Sequence, residues 1–120
     1  MKIIITSRGE DLDAEVDPRF GRAAHFVLYD TESREASSVD NRQSLNAAQG
    51  AGIQAAETVS RLGAQCVLTG HCGPKAFRTL TTAGIQVYTG AGGTVAQAIA
   101  SFEGGKLTLA SSADVEGHWA

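Results

Sequence analysis

Apolar residues fall in short runs between polar loops, and their spacing shifts along the chain from strand-like to helix-like. Lys2–Thr6 is a β-branched run, which predicts a first strand buried on both faces. A polar, Asp-rich loop follows, from Ser7 to about Arg22. His25–Asp30 and Glu35–Asp40 predict a hairpin closed by the turn-forming Thr31-Glu-Ser-Arg34. Ala47–Leu62 is Ala-rich, with Ile53, Ala56, Val59 and Leu62 at helical spacing, and Gly63 supplies a C-terminal stop. Gln65–Thr69 reads as a short buried strand centred on Cys66–Thr69. Pro74–Thr82 then predicts a short helix carrying Phe77 and Leu80, ended by Gly84, and Ile85–Tyr88 another strand. Val95, Ala98, Ile99 and Phe102 recur at i, i+3, i+4, i+7 behind a Thr94/Gln97 capping box. Leu107–Leu109 has room for a small edge strand, and the stretch through Trp119 is expected to be loosely held.

A hairpin followed by β-α units implies a single α/β domain over residues 1–110, with a tail at 111–120. Its sheet is expected to be mixed and five-stranded, with helices on both faces in three layers. With the first strand central, strands one, four and five run parallel, and strand three ends on the same edge. That edge would gather the Ser7–Arg22 loop, Asn41-Arg42, the helix start near Gly50–Gly52, His71–Lys75 and Gly90–Thr94. Open α/β sheets bind ligands at the carboxyl ends of their strands. Arg8, Arg19, Arg22, Arg42 and Lys75 are therefore placed to converge there on a compact anion.

Composition narrows the alternatives. A chain of 120 residues supports one core, and its formal net charge of -3 offers no basic field to recruit nucleic acid. Two cysteines are too few for a secreted disulfide scaffold. No segment approaches the roughly 20 apolar residues needed to span a bilayer, and the apolar start is too short for a signal peptide. A reducing cytoplasm is the expected compartment.

The chemistry concentrates in Thr69-Gly-His-Cys-Gly-Pro-Lys75, where a thiol, an imidazole and an ammonium meet at a strand-to-helix junction. A helix start presents unpaired N–H groups and the positive end of the dipole, which suits an anion or a thiolate-bound metal. Blander roles stand beside this one. Cys66, flanked by apolar residues, fits a buried inert thiol. Cys72 is a reactive or an incidental loop thiol, and His71 a metal ligand or a local hydrogen-bonding group. Arg19 and Arg22 have Asp11, Asp13, Glu15 and Asp17 nearby as ion-pair partners. Gly50 and Gly52 are equally suited to tight helix–sheet packing. His25, His118 and Trp119 read as structural or solvated.

Six short motifs carry a family resemblance over nearly the whole chain. Asp17-Pro-Arg-Phe-Gly-Arg22, Asp40-Asn41, Gly50-Ala-Gly-Ile53, Gly73-Pro-Lys-Ala-Phe77, Ala83-Gly-Ile-Gln-Val87 and Gly93-Thr-Val95 occur in order. Together they resemble the dinitrogenase iron–molybdenum cofactor biosynthesis family, and especially its small stand-alone orange-protein branch. The resemblance implies an RNase-H-like fold and non-enzymatic, non-covalent carriage of a metal–sulfur cluster. For the orange-protein branch that cargo is a molybdenum–copper sulfide anion; for the iron–molybdenum branch it is a nitrogenase cofactor precursor. On this basis the candidate cluster-binding residues are Arg19, Phe20, Gly21, Arg22, Asn41, Gly50, Gly52, His71, Gly73, Lys75, Gly92 and Gly93. Cys72 and His71 are the candidate metal ligands. Such a cluster is a soft, multiply charged anion that Arg forks, backbone N–H groups and close-packed glycine backbone can hold. A thiolate from Cys72 suits Cu(I). Recipient or cluster-assembly proteins are the implied partners, with Trp119 or the Asp-rich loop as a docking surface.

Three rival chemistries are weaker. Gly50-Ala-Gly-Ile-Gln-Ala55 matches a dinucleotide fingerprint in form, but no acidic residue follows at the ribose-binding distance. A nuclease needs clustered carboxylates, and Lys2–Thr6 offers none. Cys72-Gly-Pro-Lys-Ala-Phe-Arg78 has the spacing of a cysteine-phosphatase or arsenate-reductase loop, with Asp17 as its acid. Pro74 lacks the N–H that such a loop needs at that point.

Overall fold

In the computed structural model, which describes residues 1–41 and 50–113, strand β1 (Lys2–Ser7) lies at the heart of a six-stranded sheet. Its alternation divides the core. Ile4 faces one side of the sheet and Ile3 and Ile5 the other, all with no solvent exposure. A strand buried on both faces has no need of polar alternation, which is why its centre, Ile3–Ile5, is an unbroken apolar run.

The hairpin partner β2 (His25–Asp30) pairs antiparallel with β1, and β3 (Ala36–Asp40) pairs antiparallel with β2. Arg34 closes the turn in the left-handed region at φ 62. On the other flank β4 (Cys66–Leu68) and β5 (Gln86–Thr89) run parallel to β1. The sheet order is β3-β2-β1-β4-β5-β6, so β1, β3, β4 and β5 all end on one edge, as the topology requires. The sixth strand corrects the expected count of five. Thr108–Leu109 (β6) pairs antiparallel with β5 and is held by the Ala110 N–H donating to the Val87 carbonyl at 2.8 Å.

Helices α1 (Ala51–Arg61) and α2 (Pro74–Thr82) cover one face, where Ala55, Ala56, Val59, Ala76 and Leu80 pack on Ile4, Phe26, Val67 and Val87. The buried stripe of α1 runs through Ala55, Ala56 and Val59, while Ile53 is only half-buried. The expected start of this helix at Ala47 lies outside the described residues. Gly63 and Gly84 end α1 and α2 with positive φ, a conformation that costs a residue with a Cβ. Helix α3 (Val95–Glu103) covers the opposite face, the one helix there among the described residues, with Val95, Ala98 and Ile99 against Ile3, Ile5 and Leu68. Its capping box forms: the Gln97 N–H donates to Thr94 Oγ1 at 3.1 Å, and the Thr94 N–H donates to Gln97 Oε1 at 2.8 Å. Among the described residues no helix is long and apolar enough to cross a membrane. The tail from Asp114 through Trp119 lies outside them.

Candidate anion-binding edge

The carboxyl ends of β1 and β4 terminate in two buried hydroxyls, Thr6 and Thr69, whose oxygens lie 2.9 Å apart. Thr6 Oγ1 also lies 2.7 Å from the Asp17 carbonyl, which can only accept. The single proton of Thr6 therefore goes to Asp17, and Thr69 donates to Thr6. The Asp17 N–H donates in turn to the Thr6 carbonyl at 3.0 Å. The loop that looked structureless in sequence is thus tied to the centre of the sheet.

From Asp17 onward the chain runs beside the strand-to-helix junction. The His71 N–H donates to the Pro18 carbonyl at 2.7 Å, and the Phe20 N–H donates to the His71 carbonyl at 3.3 Å. These two bonds form a short parallel bridge between Arg19 and His71. Gly70 permits the approach, because a Cβ there would sit 2.8 Å from the backbone of Pro18. Gly70→Ala is expected to destabilise the protein by about 1–3 kcal/mol, the usual cost of overpacking against a rigid neighbour. A urea midpoint unchanged from wild type would contradict that close contact.

Arg19 and Arg22 leave this scaffold for solvent. The Arg19 N–H donates to Asp17 Oδ1 at 3.0 Å, so that carboxylate holds the backbone of the loop. A 3-10 turn over Phe20–Arg22 follows, closed by the Arg22 N–H on the Arg19 carbonyl at 3.3 Å. Both guanidinium side chains are exposed, as is Lys75 in the first turn of α2. Among the described residues no carboxylate lies within 4.0 Å of these three cations. The ion pairs there are Arg8 with Glu15 at 4.0 Å and the Met1 ammonium with Asp30 and Glu32. The acidic loop therefore leaves Arg19 and Arg22 unneutralised. Arg8 is drawn away towards Glu15, and Arg42 lies outside the described residues.

Several expected ligand-binding residues work from beneath the edge instead. The Phe20 side chain has no exposure and stacks on Phe26 with ring centroids 5.8 Å apart, so it anchors the loop and offers no surface to a ligand. Gly21 is buried beside it. Asn41 is fully buried too, donating its side-chain amide to the Ala23 carbonyl at 2.8 Å and its backbone N–H to Ala24 at 2.9 Å. Cys72, expected at the rim, is 1% exposed and packs in the α1/α2 core. Cys66 is an inert core thiol, and burial pushes its pKa up. His71 stays half-buried at the edge.

The glycines divide similarly. Gly73 is the N-cap of α2, with Pro74 at the first helical position. Gly50 is exposed at the start of α1 with φ 103, and Gly52 is buried in the first turn. Gly92 is exposed on the same edge of the sheet. Gly93 serves the architecture. Its φ is 72, its carbonyl accepts from the Val16 N–H at 2.9 Å, and a Cβ there would run into the Gln97 side chain.

The Cys72–Arg78 stretch forms no phosphate cradle. The helix begins at Pro74, so Lys75 to Arg78 are helical and Cys72 is buried. Sequence reasoning missed Thr6, and it placed Thr69 and Gly70 in the key junction without a role for either. The available signal was a hydroxyl closing each of two apolar strands, with a glycine directly after the second.

The chain is similar to known proteins. Residues 1–105 match the family described as dinitrogenase iron-molybdenum cofactor. The chain belongs to that family. The apo form of the orange protein from Desulfovibrio gigas has a similar structure, with TM-score 0.91 and 44% identity, over 95% of this chain and 96% of that one. A putative NifB protein from Thermotoga is similar with TM-score 0.83 and 36% identity, over 97% and 98% of the respective chains. An uncharacterized protein of Methanocaldococcus jannaschii is 27% identical over 94 residues, covering 77% of this chain and 80% of its own length. The family match spans the Asp17–Arg22 loop and the Gly73–Lys75 helix start as well as the sheet.

Proposed function

We propose that this protein is a non-enzymatic carrier of a polynuclear, molybdenum-containing metal–sulfide anion, bound non-covalently at the carboxyl edge of the sheet. One observation carries the reading: Arg19, Arg22 and Lys75 stand exposed without carboxylate partners among the described residues, on backbone that is hydrogen-bonded into place. An otherwise acidic protein that holds three cations apart from its own carboxylates is suited to an anion. The N–H groups in the first turn of α2 add the positive end of a helix dipole beside Lys75. Family membership and the orange-protein likeness support a metal cluster as that anion, and a molybdenum–copper sulfide as its identity.

The donor set fits a preassembled cluster and not a protein-built one. Among the described residues no group of three or more His, Cys, Asp or Glu side chains is placed to hold a metal ion. A cluster already bridged by its own sulfides needs neutralisation and shape more than ligands. In this reading Arg19, Arg22 and Lys75 neutralise it, backbone at Gly50, Gly73 and Gly92 approaches it closely, and His71 sits at its rim. Cys72 is kept as the candidate copper ligand beside it. The scaffold, three layers with α1 and α2 opposite α3, we read as RNase-H-like. Neither cysteine is in a disulfide, which suits the reducing cytoplasm where we place the carrier. A nitrogenase cofactor precursor is the alternative cargo for the same cations, in keeping with the Thermotoga likeness.

Equilibrium dialysis of apo-protein against tetrathiomolybdate tests the electrostatic core of the proposal. Affinity is expected to fall several-fold between low and high salt, because exposed cations are screened within about 10 Å at 0.1 M. Binding that ignores salt, or competition by inorganic phosphate as strong as by tetrathiomolybdate, would count against a soft sulfide cargo held by these charges.

A further inference from the structure

Two residues outside the family-like motifs hold the cationic loop where it is. We infer that Thr6 and Thr69 are positioning residues for anion binding: a buried hydroxyl relay that fixes Arg19 and Arg22 before any ligand arrives. This inference rests on the carrier reading of the site, but its structural half can be tested without a ligand.

The relay runs in one direction. Thr69 donates to Thr6 at 2.9 Å, and Thr6 donates to the Asp17 carbonyl at 2.7 Å. Both threonines have no exposure, so water cannot replace either bond. Asp17 itself is 7% exposed and passes the restraint on twice. Its backbone N–H returns to the Thr6 carbonyl at 3.0 Å, and its carboxylate accepts the Arg19 N–H at 3.0 Å. Pro18 and Phe20 then lock onto His71 on either side of Arg19. The arginine-bearing loop and the His71–Lys75 junction are therefore one hydrogen-bonded unit, keyed to the ends of β1 and β4.

The consequence is preorganisation. A loop that must order on binding spends affinity on lost conformational freedom, and a loop already ordered does not. Val is the natural comparison at position 6, since it keeps the β-branched shape and removes the hydroxyl. A core strand such as β1 has no packing reason to prefer Thr over Val there.

The test is amide hydrogen exchange on apo-protein, paired with tetrathiomolybdate affinity, for Thr6→Val, Thr6→Ser and Thr69→Val. For Thr6→Val we expect exchange of the Arg19, Phe20 and His71 amides to rise about tenfold or more, the size of one lost buried hydrogen bond, while α3 amides stay protected. Affinity falls about tenfold and its salt dependence flattens, because the arginines no longer converge. Thr6→Ser restores both, and Thr69→Val, which removes only the first donor, gives a smaller change in the same direction. Should Thr6→Val not fold, Thr69→Val carries the test alone. Wild-type exchange and affinity in the Val variants would overturn the inference, and so would a Thr6→Ser variant as defective as Thr6→Val. If wild type shows no affinity for tetrathiomolybdate, the carrier reading fails, and the exchange data still decide the positioning role.

Discussion

Removing Arg19, Arg22 and Lys75 together, each to Ala, is expected to weaken tetrathiomolybdate binding about a hundredfold or more. Each contributes a charge-assisted contact worth up to about tenfold on its own, and contacts to one shared ligand do not simply add. The fold should hardly notice. All three side chains are exposed and none is in an ion pair among the described residues, so the melting temperature should stay within a few degrees of wild type. Replacing the exposed Arg34, Arg61 and Lys106 together with Ala removes the same number of charges elsewhere and is the control for net charge, which should leave affinity unchanged. Dialysis separates the outcomes. An equal loss in the triple variant and the control would mean that binding follows overall charge and not this edge.

Phe20→Ala is expected to have the largest effect on stability, about 3–5 kcal/mol, the range for emptying a buried aromatic site. Against a total of roughly 5–15 kcal/mol for a domain of ordinary stability, that is a large share. The ring has no exposure, stacks on Phe26 and packs in the core shared with α1 and α2, so nothing nearby can collapse cheaply into its place. The effect on binding follows from position: Phe20 lies directly between the loop's bond to His71 and the turn that carries Arg22. Urea denaturation with dialysis checks both. A loss below about 1 kcal/mol would show that Phe20 is not the anchor described, whatever became of the affinity. Phe20→Leu, which refills part of the volume, should recover most of the stability.

These two expectations also show what the chain discloses before its structure is known. The strands and helices were legible because their signals are local: a β-branched run for β1, a short apolar run for β4, the i, i+3, i+4 stripe and capping box for α3, and Pro74 opening α2. From these the parallel arrangement follows, and with it the edge that carries Arg19, Arg22 and Lys75. The sixth strand was legible only as room for an edge strand at Leu107–Leu109 and was left out of the expected count, because a two-residue pairing such as Thr108 with Thr89 has almost no periodicity to read.

The Ser7–Arg22 loop was illegible for a different reason. Its order comes from bonds to distant parts of the chain: Val16 to Gly93, Asp17 to Thr6, Phe20 to His71. No local pattern encodes such pairings. Long-range bonds of this kind also set which way two of the candidate residues face. Phe20 sits in a polar motif between two arginines, where an aromatic looks like part of a binding face, yet its ring turns inward. Cys72 sits in a glycine-rich junction that looks exposed, yet its thiol packs under the first turn of α2. In both cases the residue type was informative and its direction was not, because direction is set by the tertiary bonds of the neighbouring backbone.

The central claim, carriage of a molybdenum-containing sulfide anion, is tested most directly by visible absorption. Purified apo-protein is titrated with tetrathiomolybdate and Cu(I), desalted, and analysed for both metals and for sulfide. A coloured species that co-elutes with the protein at a fixed molybdenum-to-copper ratio is the predicted result. A protein that emerges colourless and metal-free, while unmixed tetrathiomolybdate passes the same column intact, would contradict it.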